Sequence, residues 1–258
     1  MIENITEKIE KALIIGILLP SRDKWRVEET LSELFQLTLS AGAEVYDQLI
    51  IKQHKIKAGH YIGIGKAEEI SQTIRENNIS LVIFDDDLSP LQGRNLERIF
   101  KIRVIDRSQL ILDIFSLRAK TNEGTLQVRL AQHQYLLPRL RRMWTHLERQ
   151  KGGIGLRGPG ETQLEMDRRS IQILIKSLKR DLELVKTRRK EQRRNRKKTG
   201  WTLISLIGYT NAGKSTLLNK ISGSKIYSQD QLFATLDPTT RKIDSLKKEY
   251  VLIKDKVL

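Results

Sequence analysis

The sequence contains no cysteine, and this absence removes several kinds of chemistry at once. Disulfide frameworks, thiolate zinc sites and cysteine nucleophiles all need the thiol, and a chain without it suits a reducing compartment. Histidine is scarce as well. The four histidines lack the spacing of metal ligands, so ordinary surface or core positions are predicted for His54, His60, His133 and His146.

Long apolar runs are also lacking. The longest apolar stretch, residues 12–19, is far shorter than the ~20 residues that a membrane-spanning helix needs, and it predicts a buried strand instead. Glu3, Glu7 and Glu10 interrupt the first residues, and no small-residue cleavage site follows Pro20. Because these features argue against a signal peptide, a cytoplasmic protein is expected.

Positive charge is in large excess. The 258 residues include 47 Lys and Arg but only 31 Asp and Glu, which gives a formal net charge of +16. This imbalance favours a polyanionic partner, either nucleic acid or an anionic membrane surface, and it says nothing about the fold. The length predicts more than one domain.

The first part of the chain alternates strand-like and helix-like patterns. Short β-rich runs at residues 11–19, 43–51, 80–84 and 103–105 predict four strands, and apolar residues at helical spacing lie between them. Two helix starts are marked, because Ser89 before Pro90 and Ser108 before Leu110 are predicted N-caps. The predicted fold class is α/β, with a small parallel-sheet domain over residues 1–120.

Residues 121–199 predict a long αα-hairpin. Pro138 is expected to kink the first helix or divide it in two, and that helix has an apolar stripe of Leu126, Leu130, Leu137, Leu140 and Trp144. Residues 152–160 are rich in glycine and predict a turn or flexible tip. A second helix of roughly 35 residues, about 50 Å long, would carry this tip beyond the α/β domain. Its apolar stripe consists of Leu164, Ile171, Ile175, Leu178, Leu182 and Val185.

Two basic groups mark this hairpin. One is a tract over residues 186–198 that only Glu191 opposes, and it includes Arg188, Arg189, Lys190, Arg193, Arg194, Arg196 and Lys197. The other surrounds the tip and consists of Arg139, Arg141, Arg142, Arg149, Lys151 and Arg157. Both groups predict contact with a large RNA surface, and Arg157 is the leading candidate at the tip. The alternative for the tract is a solvated helix end whose cations the helix dipole favours.

The chemistry-bearing motif follows the hairpin. Residues 201–207 form a strand-like apolar run, and the next eight residues match the phosphate-binding pattern G-x-x-x-x-G-K-[ST]. These eight are Gly208, Tyr209, Thr210, Asn211, Ala212, Gly213, Lys214 and Ser215. In such a loop the backbone N–H groups surround a phosphate, the lysine reaches the β- and γ-phosphates, and the serine hydroxyl coordinates Mg²⁺. Residues 200–258 are therefore predicted to be part of a P-loop domain.

Three further runs identify a resemblance. The Asn-Ala-Gly-Lys-Ser form of the loop combines with Phe-Ala-Thr-Leu-Asp-Pro-Thr-Thr-Arg at residues 233–241 and with the run over residues 152–169, and residues 61–66 match more loosely. In these runs the chain resembles the HflX family of ribosome-associated P-loop GTPases. The resemblance implies that residues 208–215 bind GTP phosphates and that Lys214 stabilises their charge. It also implies that Ser215 and Thr235 bind Mg²⁺ and that the first switch consists of Phe233, Ala234, Thr235, Leu236 and Asp237.

The resemblance implies a function in translation as well. It predicts a monomer that docks on the large ribosomal subunit, with its tip near the peptidyl transferase region, and that splits or rescues stalled or stressed ribosomes. The Asp-x-x-Gly element and the guanine-reading element of such GTPases are absent before Leu258. Two alternatives therefore stay open: a non-catalytic RNA-binding module and a P-loop ATPase. Thr239 and Thr240 are alternative threonines for the metal.

The run Gly63-Ile64-Gly65-Lys66 invites comparison with a second nucleotide site. It lacks the third glycine of G-x-G-x-x-G, so a turn that leads into a helix around Ile70 is the preferred prediction.

Overall fold

The computed structural model describes residues 9–143, 159–198, 202–208, 212–223, 232, 239–245 and 248–254. The first eight elements are β1 (Lys11–Leu18), α1 (Lys24–Ser40), β2 (Glu44–Lys52), α2 (Ile64–Glu76), β3 (Leu81–Phe84), α3 (Pro90–Phe100), β4 (Arg103–Asp106) and α4 (Arg107–Arg118). They are followed by α5 (Asn122–Met143), α6 (Pro159–Lys198), β5 (Thr202–Leu206), α7 (Lys214–Ser222), β6 (Thr239–Ser245) and β7 (Lys248–Lys254). Within the described ranges, no helix is long and apolar enough to cross a bilayer.

The chain forms two compact units. One contains Met1–Asp113 and Tyr135–Arg168, and the other contains Ile114–Gln134 and Arg169–Leu258. Both hairpin helices have residues in each unit. The division into domains at residues 120 and 199 remains a prediction.

The first unit is built on a parallel sheet, as predicted. Its strand order is β2-β1-β3-β4, and every neighbouring pair is parallel. The central strand β1 is buried along nearly its whole length, because helices cover both faces of the sheet. This burial explains why β1 reads as an unbroken apolar run rather than as an alternating one.

The two faces of the sheet are covered by different helices. The main apolar core joins alternate residues of β1, such as Leu13 and Ile15, to Ile70 of α2 and Leu96 of α3. On the opposite face α1 packs closely at Gly16, where an added Cβ would lie 2.8 Å from Cδ1 of Leu31. Glycine therefore sets the distance between β1 and α1.

Of the two predicted N-caps, Ser89 is confirmed and Ser108 is wrong. Ser89 caps α3 in a capping box, in which its hydroxyl accepts from the Gln92 amide while the Gln92 side chain accepts from the Ser89 amide. Ser108 is not the cap of α4, because its hydroxyl donates to Asp87 at 2.6 Å. The capping contact comes from Asp106, whose Oδ1 accepts from the Gln109 amide at 2.9 Å.

Asp106 is the most connected carboxylate of the first unit. Its side chain is 1% exposed and accepts four hydrogen bonds at 2.8–3.1 Å, from the Leu88 amide, the Gln109 amide, the Tyr135 hydroxyl and the Arg139 guanidinium. Arg139 also donates to the Leu88 carbonyl, and its guanidinium carbon lies 3.3 Å from the centroid of the Tyr135 ring. This cluster holds the Tyr135–Arg139 turn of α5 against the carboxyl end of β4.

Of the two effects predicted for Pro138, division of the first hairpin helix does not occur, since α5 continues from Asn122 to Met143, and a kink stays a prediction. Proline removes one amide donor from the helix, but the residues on either side of it are fixed from outside. Arg139 donates to the Tyr135 carbonyl at 3.2 Å, and both side chains bind Asp106. Tertiary hydrogen bonds therefore offset the loss of one helical bond.

The base of the hairpin lies in the second unit. Glu123 near the start of α5 forms a 2.6 Å ion pair with Arg189 near the end of α6, as expected for antiparallel helices. The predicted stripe of α6 is buried at Ile175, Leu178 and Leu182, and Val128 is the buried residue of α5 that the predicted stripe omitted. Helix α6 begins at Pro159, so the predicted tip extends two residues too far, and residues 144–158 lie outside the described residues.

The Asp106 cluster predicts alkaline instability. Burial, and then the charge of Asp106, raise the pKa of the Tyr135 phenol above its ordinary value of about 10. The unfolded chain then loses this proton first, so the free energy of unfolding should fall above pH 10 by about 1.4 kcal/mol per pH unit for this group. Urea titrations between pH 9 and 11 should show a shallower fall for Tyr135→Phe than for the parent chain. Tyr46→Phe, at a half-exposed position, should behave like the parent, and equal slopes for all three would contradict the assignment.

Candidate nucleotide site

The nucleotide motif lies between a strand and a helix, as predicted. Strand β5 pairs in parallel with β7, and β6 pairs antiparallel with β7 at the edge of this three-stranded sheet. After β5 the chain passes through Ile207 and Gly208, and α7 starts at Lys214. This strand–loop–helix arrangement directs the positive end of the α7 dipole towards the loop.

Two contacts define the described part of the loop. Gly213 has φ +73°, a left-handed conformation that glycine adopts without strain, and its carbonyl accepts the first helical hydrogen bond, from the Leu217 amide. The Lys214 ammonium donates to the Gly208 carbonyl at 2.6 Å. The ends of the eight-residue motif are therefore joined, and the lysine side chain is folded back across the loop.

Helix α7 is anchored through one apolar residue. Leu218 is completely buried, whereas Lys214 and Ser215 in the first turn are half-buried. This arrangement fixes the backbone of the helix and leaves its first turn at the surface. Lys214 and Ser215 therefore stand at the start of α7, where a lysine and a hydroxyl are predicted to reach phosphates and a bound Mg²⁺, and these roles stay predictions.

Mg²⁺ is chemically compatible with the described donor. Ser215 supplies a hard hydroxyl oxygen at the start of α7, and Mg²⁺ prefers oxygen ligands that phosphates complete. Within the described ranges, no group of three or more His, Asp or Glu side chains is arranged to hold a metal ion. A metal at this loop would therefore depend on the nucleotide for its remaining ligands.

Several predicted site residues lie outside the described residues. They are Tyr209, Thr210, Asn211 and the whole first switch, Phe233, Ala234, Thr235, Leu236 and Asp237. Their roles in phosphate and metal binding remain predictions. The alternative threonines, Thr239 and Thr240, are the first two residues of β6. Gly63 and Ile64 stand at the start of α2, in agreement with the predicted turn and helix.

Apolar surface is exposed around this loop. Ile204 and Ile207 are 40% and 64% exposed, and Leu217 and Ile221 of α7 are 46% and 45% exposed. Both the strand and the helix therefore present apolar side chains to solvent. The sheets of this fold class are normally covered on both faces, whereas these apolar side chains are exposed.

The structure divides the predicted RNA-binding cations into two classes. Arg139 and Arg189 are ion-paired with Asp106 and Glu123, so neither is an uncommitted RNA contact. Arg188, Lys190 and Arg194 are exposed on α6, and no carboxylate of the described residues pairs with them. The first class stabilises the fold, and among the described side chains the second is available to a polyanion.

Three protein-family models match consecutive segments of the chain. Residues 28–116 match the model described as GTP-binding GTPase N-terminal, and residues 118–196 match GTP-binding GTPase Middle Region. Residues 203–255 match the model described as 50S ribosome-binding GTPase.

Curated relatives are similar over most of this chain. The GTPase HflX of Escherichia coli is 53% identical over 216 residues, which is 84% of this chain and 51% of the relative. The GTPase HflX of Caldanaerobacter subterraneus is 46% identical over 99% of this chain and 59% of the relative. The chain thus spans only between half and three-fifths of the length of these relatives.

Solved structures support the fold. A GTP-binding protein from Sulfolobus solfataricus in complex with GDP is 21% identical with a TM-score of 0.51, and it is matched over 96% of this chain and 61% of that protein. A second GDP complex, of the protein called SsGBP, gives a TM-score of 0.54 at 22% identity. The fold of this chain is therefore similar to that of these solved proteins.

The loop between β5 and α7, with its left-handed Gly213 and inward-folded Lys214, defines a P-loop protein of the GTPase class. The three consecutive family matches and the 41–53% identity to curated relatives narrow this class further. The chain belongs to the HflX family of GTPases.

The loop geometry predicts different effects for two glycines. At Gly213 an alanine would keep a left-handed φ that costs about 1–2 kcal/mol, so Gly213→Ala should weaken nucleotide binding roughly tenfold. At Gly208 an added Cβ would meet Cδ of Lys214 at 3.7 Å, an ordinary contact, so Gly208→Ala is the milder matched control. Titration of the full-length protein with a fluorescent GDP analogue would measure both, and equal losses would contradict the role of the left-handed turn.

Proposed function

We propose that the full-length protein is a Mg²⁺-dependent GTPase that binds the large ribosomal subunit in the cytoplasm and splits or rescues stalled or stressed ribosomes. The observation that carries this proposal is the P-loop between β5 and α7, in a segment that matches the 50S ribosome-binding GTPase model. The high net charge of +16 and the exposed cations of α6 support an RNA partner.

The chemistry would depend on positioning and electrostatics. Loop amides and the ammonium of Lys214 would bind the β- and γ-phosphates, where negative charge develops during transfer. The N-terminus of α7 adds the positive end of a helix dipole at the same point. Mg²⁺, held by Ser215 and by Thr235, would neutralise phosphate charge when bound. Lys214 is the residue of this chain that we assign a catalytic role.

The hairpin would bind the ribosome through phosphate contacts. Arg188, Lys190 and Arg194 lie on the final turns of α6 and are exposed, so each can approach a phosphate without breaking an internal ion pair. Arg189 lies between them but is committed to Glu123. The proposed contact surface therefore consists of those residues of the basic tract that are exposed and have no ion-pair partner among the described residues.

This division predicts the salt dependence of ribosome binding. The triple variant Arg188→Gln, Lys190→Gln, Arg194→Gln should reduce the slope of log K against log salt by about 2 to 3, since each lost phosphate contact contributes about 0.7 to 0.9. Sedimentation with large ribosomal subunits from 50 to 300 mM salt would measure this slope. A charge-matched control is Lys66→Gln, Arg98→Gln, Lys101→Gln, which removes from the first unit the exposed Arg98 and Lys101 and the half-buried Lys66, which pairs with Glu69. Equal slopes for the two triple variants would remove the tract from the interface.

Turnover is predicted to need more chain than these 258 residues. Because Ile204, Ile207, Leu217 and Ile221 are exposed, residues 1–258 alone should bind nucleotide weakly and release no measurable phosphate from GTP. A form extended to the length of the curated relatives should hydrolyse GTP, and Lys214→Ala should abolish that activity. Phosphate release would be measured with GTP and with ATP. Brisk GTP turnover by residues 1–258, or equal turnover of ATP by the longer form, would contradict the proposal.

A further inference from the structure

A second set of uncommitted cations lies at the carboxyl edge of the first unit. Two of the three aspartates that follow β3 are neutralised there, because Asp85 pairs with Arg107 at 2.8 Å and Asp86 pairs with Arg22 at 2.7 Å, while Asp87 accepts a hydrogen bond from the Ser108 hydroxyl. The loop after β2 has no such compensation. Lys52, the last residue of β2, and Lys55 and Lys57 in the loop are all exposed, and no carboxylate within the described residues pairs with them. Positive charge is therefore concentrated at this corner of the sheet.

These cations border a groove. It has a volume of about 440 Å³ and lies where β1 and β2 end, with an apolar floor at residues 18–20. Lys52 and His54 contribute to its rim, as does Lys24, which pairs with Glu28 at 3.2 Å, and Arg22 lines it while bound to Asp86. In open parallel sheets, this carboxyl edge is the common place for ligands. The groove thus combines an apolar surface with a cationic border.

An exposed aromatic residue stands next to this groove. Trp25 follows Lys24 in the first turn of α1, and its side chain is 59% exposed, with the Arg26 guanidinium 5.2 Å from the ring centroid. The apolar face of α1 points the other way, since Val27, Leu31 and Leu34 are buried. Trp25 is therefore not part of the core, and its indole is available to a partner that stacks on it.

The loop that carries these cations is held in one conformation. Tyr61 is buried and has φ +67°, a conformation that a bulky side chain adopts only when its surroundings impose it. Its backbone exchanges two hydrogen bonds with Lys57, and its carbonyl also accepts from the Gln53 side chain. Gln92 of α3 donates to the Lys57 carbonyl. The cationic loop is therefore ordered before any partner arrives, which lowers the entropic cost of binding.

We propose that this corner binds single-stranded RNA, with phosphates on Lys52, Lys55 and Lys57 and one unpaired base stacked on Trp25. The inference rests on the proposed function in taking RNA as the partner, and it adds a contact separate from the hairpin. A cationic groove beside an exposed aromatic ring is the combination that single strands require, because every base has a face that stacks and a duplex hides those faces. A membrane surface fits less well, since α1 has its apolar side buried in the core.

The test uses the whole chain and a fluorescein-labelled 12-nucleotide oligouridylate, followed by fluorescence anisotropy. Trp25→Ala should weaken binding by about tenfold, as expected for the loss of one stacked base, and Trp25→Phe should recover most of it. The double variant Lys52→Gln, Lys55→Gln should reduce the salt slope by about 1.4, since each single-strand phosphate contact contributes about 0.7. Lys66→Gln, Lys101→Gln is the charge-matched control. A 12-base-pair RNA duplex should be insensitive to Trp25→Ala.

Each outcome of this test has one meaning. Unchanged oligonucleotide binding in both the Trp25→Ala and the double-lysine variants, together with a loss in the α6 triple variant, would overturn the inference and leave the proposed ribosome contact standing. Loss in the first two variants without any binding to large ribosomal subunits would support the inference and contradict the proposed function. If Trp25→Ala instead released the chain from phosphatidylglycerol vesicles and left oligonucleotide binding unchanged, the surface would be a membrane contact and the RNA inference would be wrong.

Discussion

The architecture of the first unit depends on one buried carboxylate. Asp106 is the last residue of β4, and a charge in that position is tolerated only if donors replace the water that it has lost. Those donors come from three segments: the Leu88 amide before α3, the Gln109 amide in α4, and Tyr135 and Arg139 in α5. Two of these segments are helix starts and one is the middle of a long helix. Satisfying a single side chain therefore fixes how three helices approach the sheet.

The pairing of carboxylates with arginines also explains which cations are left free to bind a ligand. In open parallel sheets the carboxyl edge is the usual ligand site, but here Asp85, Asp86 and Asp106 are each bound by an arginine. The three arginines at the centre of the carboxyl edge therefore stabilise the fold and are not available to a ligand. Uncommitted cations remain beside it, around Lys52, and on the last turns of α6. The nucleotide loop is built separately, on β5 and α7, where Gly213 and Lys214 give the backbone and the charge that phosphates need.

Local patterns predicted the parts of this structure that local forces determine. The strand β1 was recognisable because both of its faces are apolar, the start of α3 because Ser89 and Gln92 cap it, and the P-loop because its spacing is strict. The errors arose where a distant partner decides the outcome. The sequence predicts RNA contacts for both Arg139 and Arg189. In the fold, Arg139 is ion-paired with Asp106 and Arg189 with Glu123, and both partners are distant in sequence. Ser108 has the residue type of a helix cap, yet its hydroxyl donates to Asp87, and the Gln109 amide donates to Asp106. The exposure of Trp25 could not be read from the sequence, because α1 must pack before one of its faces is turned outwards.

Amide hydrogen exchange in an Asp106→Asn variant tests this account most directly. The substitution keeps the shape of the side chain and removes its charge, so the bond to Arg139 should weaken and the penalty of a broken buried pair, about 3 kcal/mol, should appear locally. Exchange should accelerate on the order of a hundredfold at residues 135–143 and in the first turn of α4, while amides of β1 keep their protection. Asp113→Asn is the control, because that carboxylate pairs with Arg103 at a partly exposed position. If α5 exchanged at the parent rate in Asp106→Asn, the claim that this carboxylate holds the helix to the sheet would be contradicted.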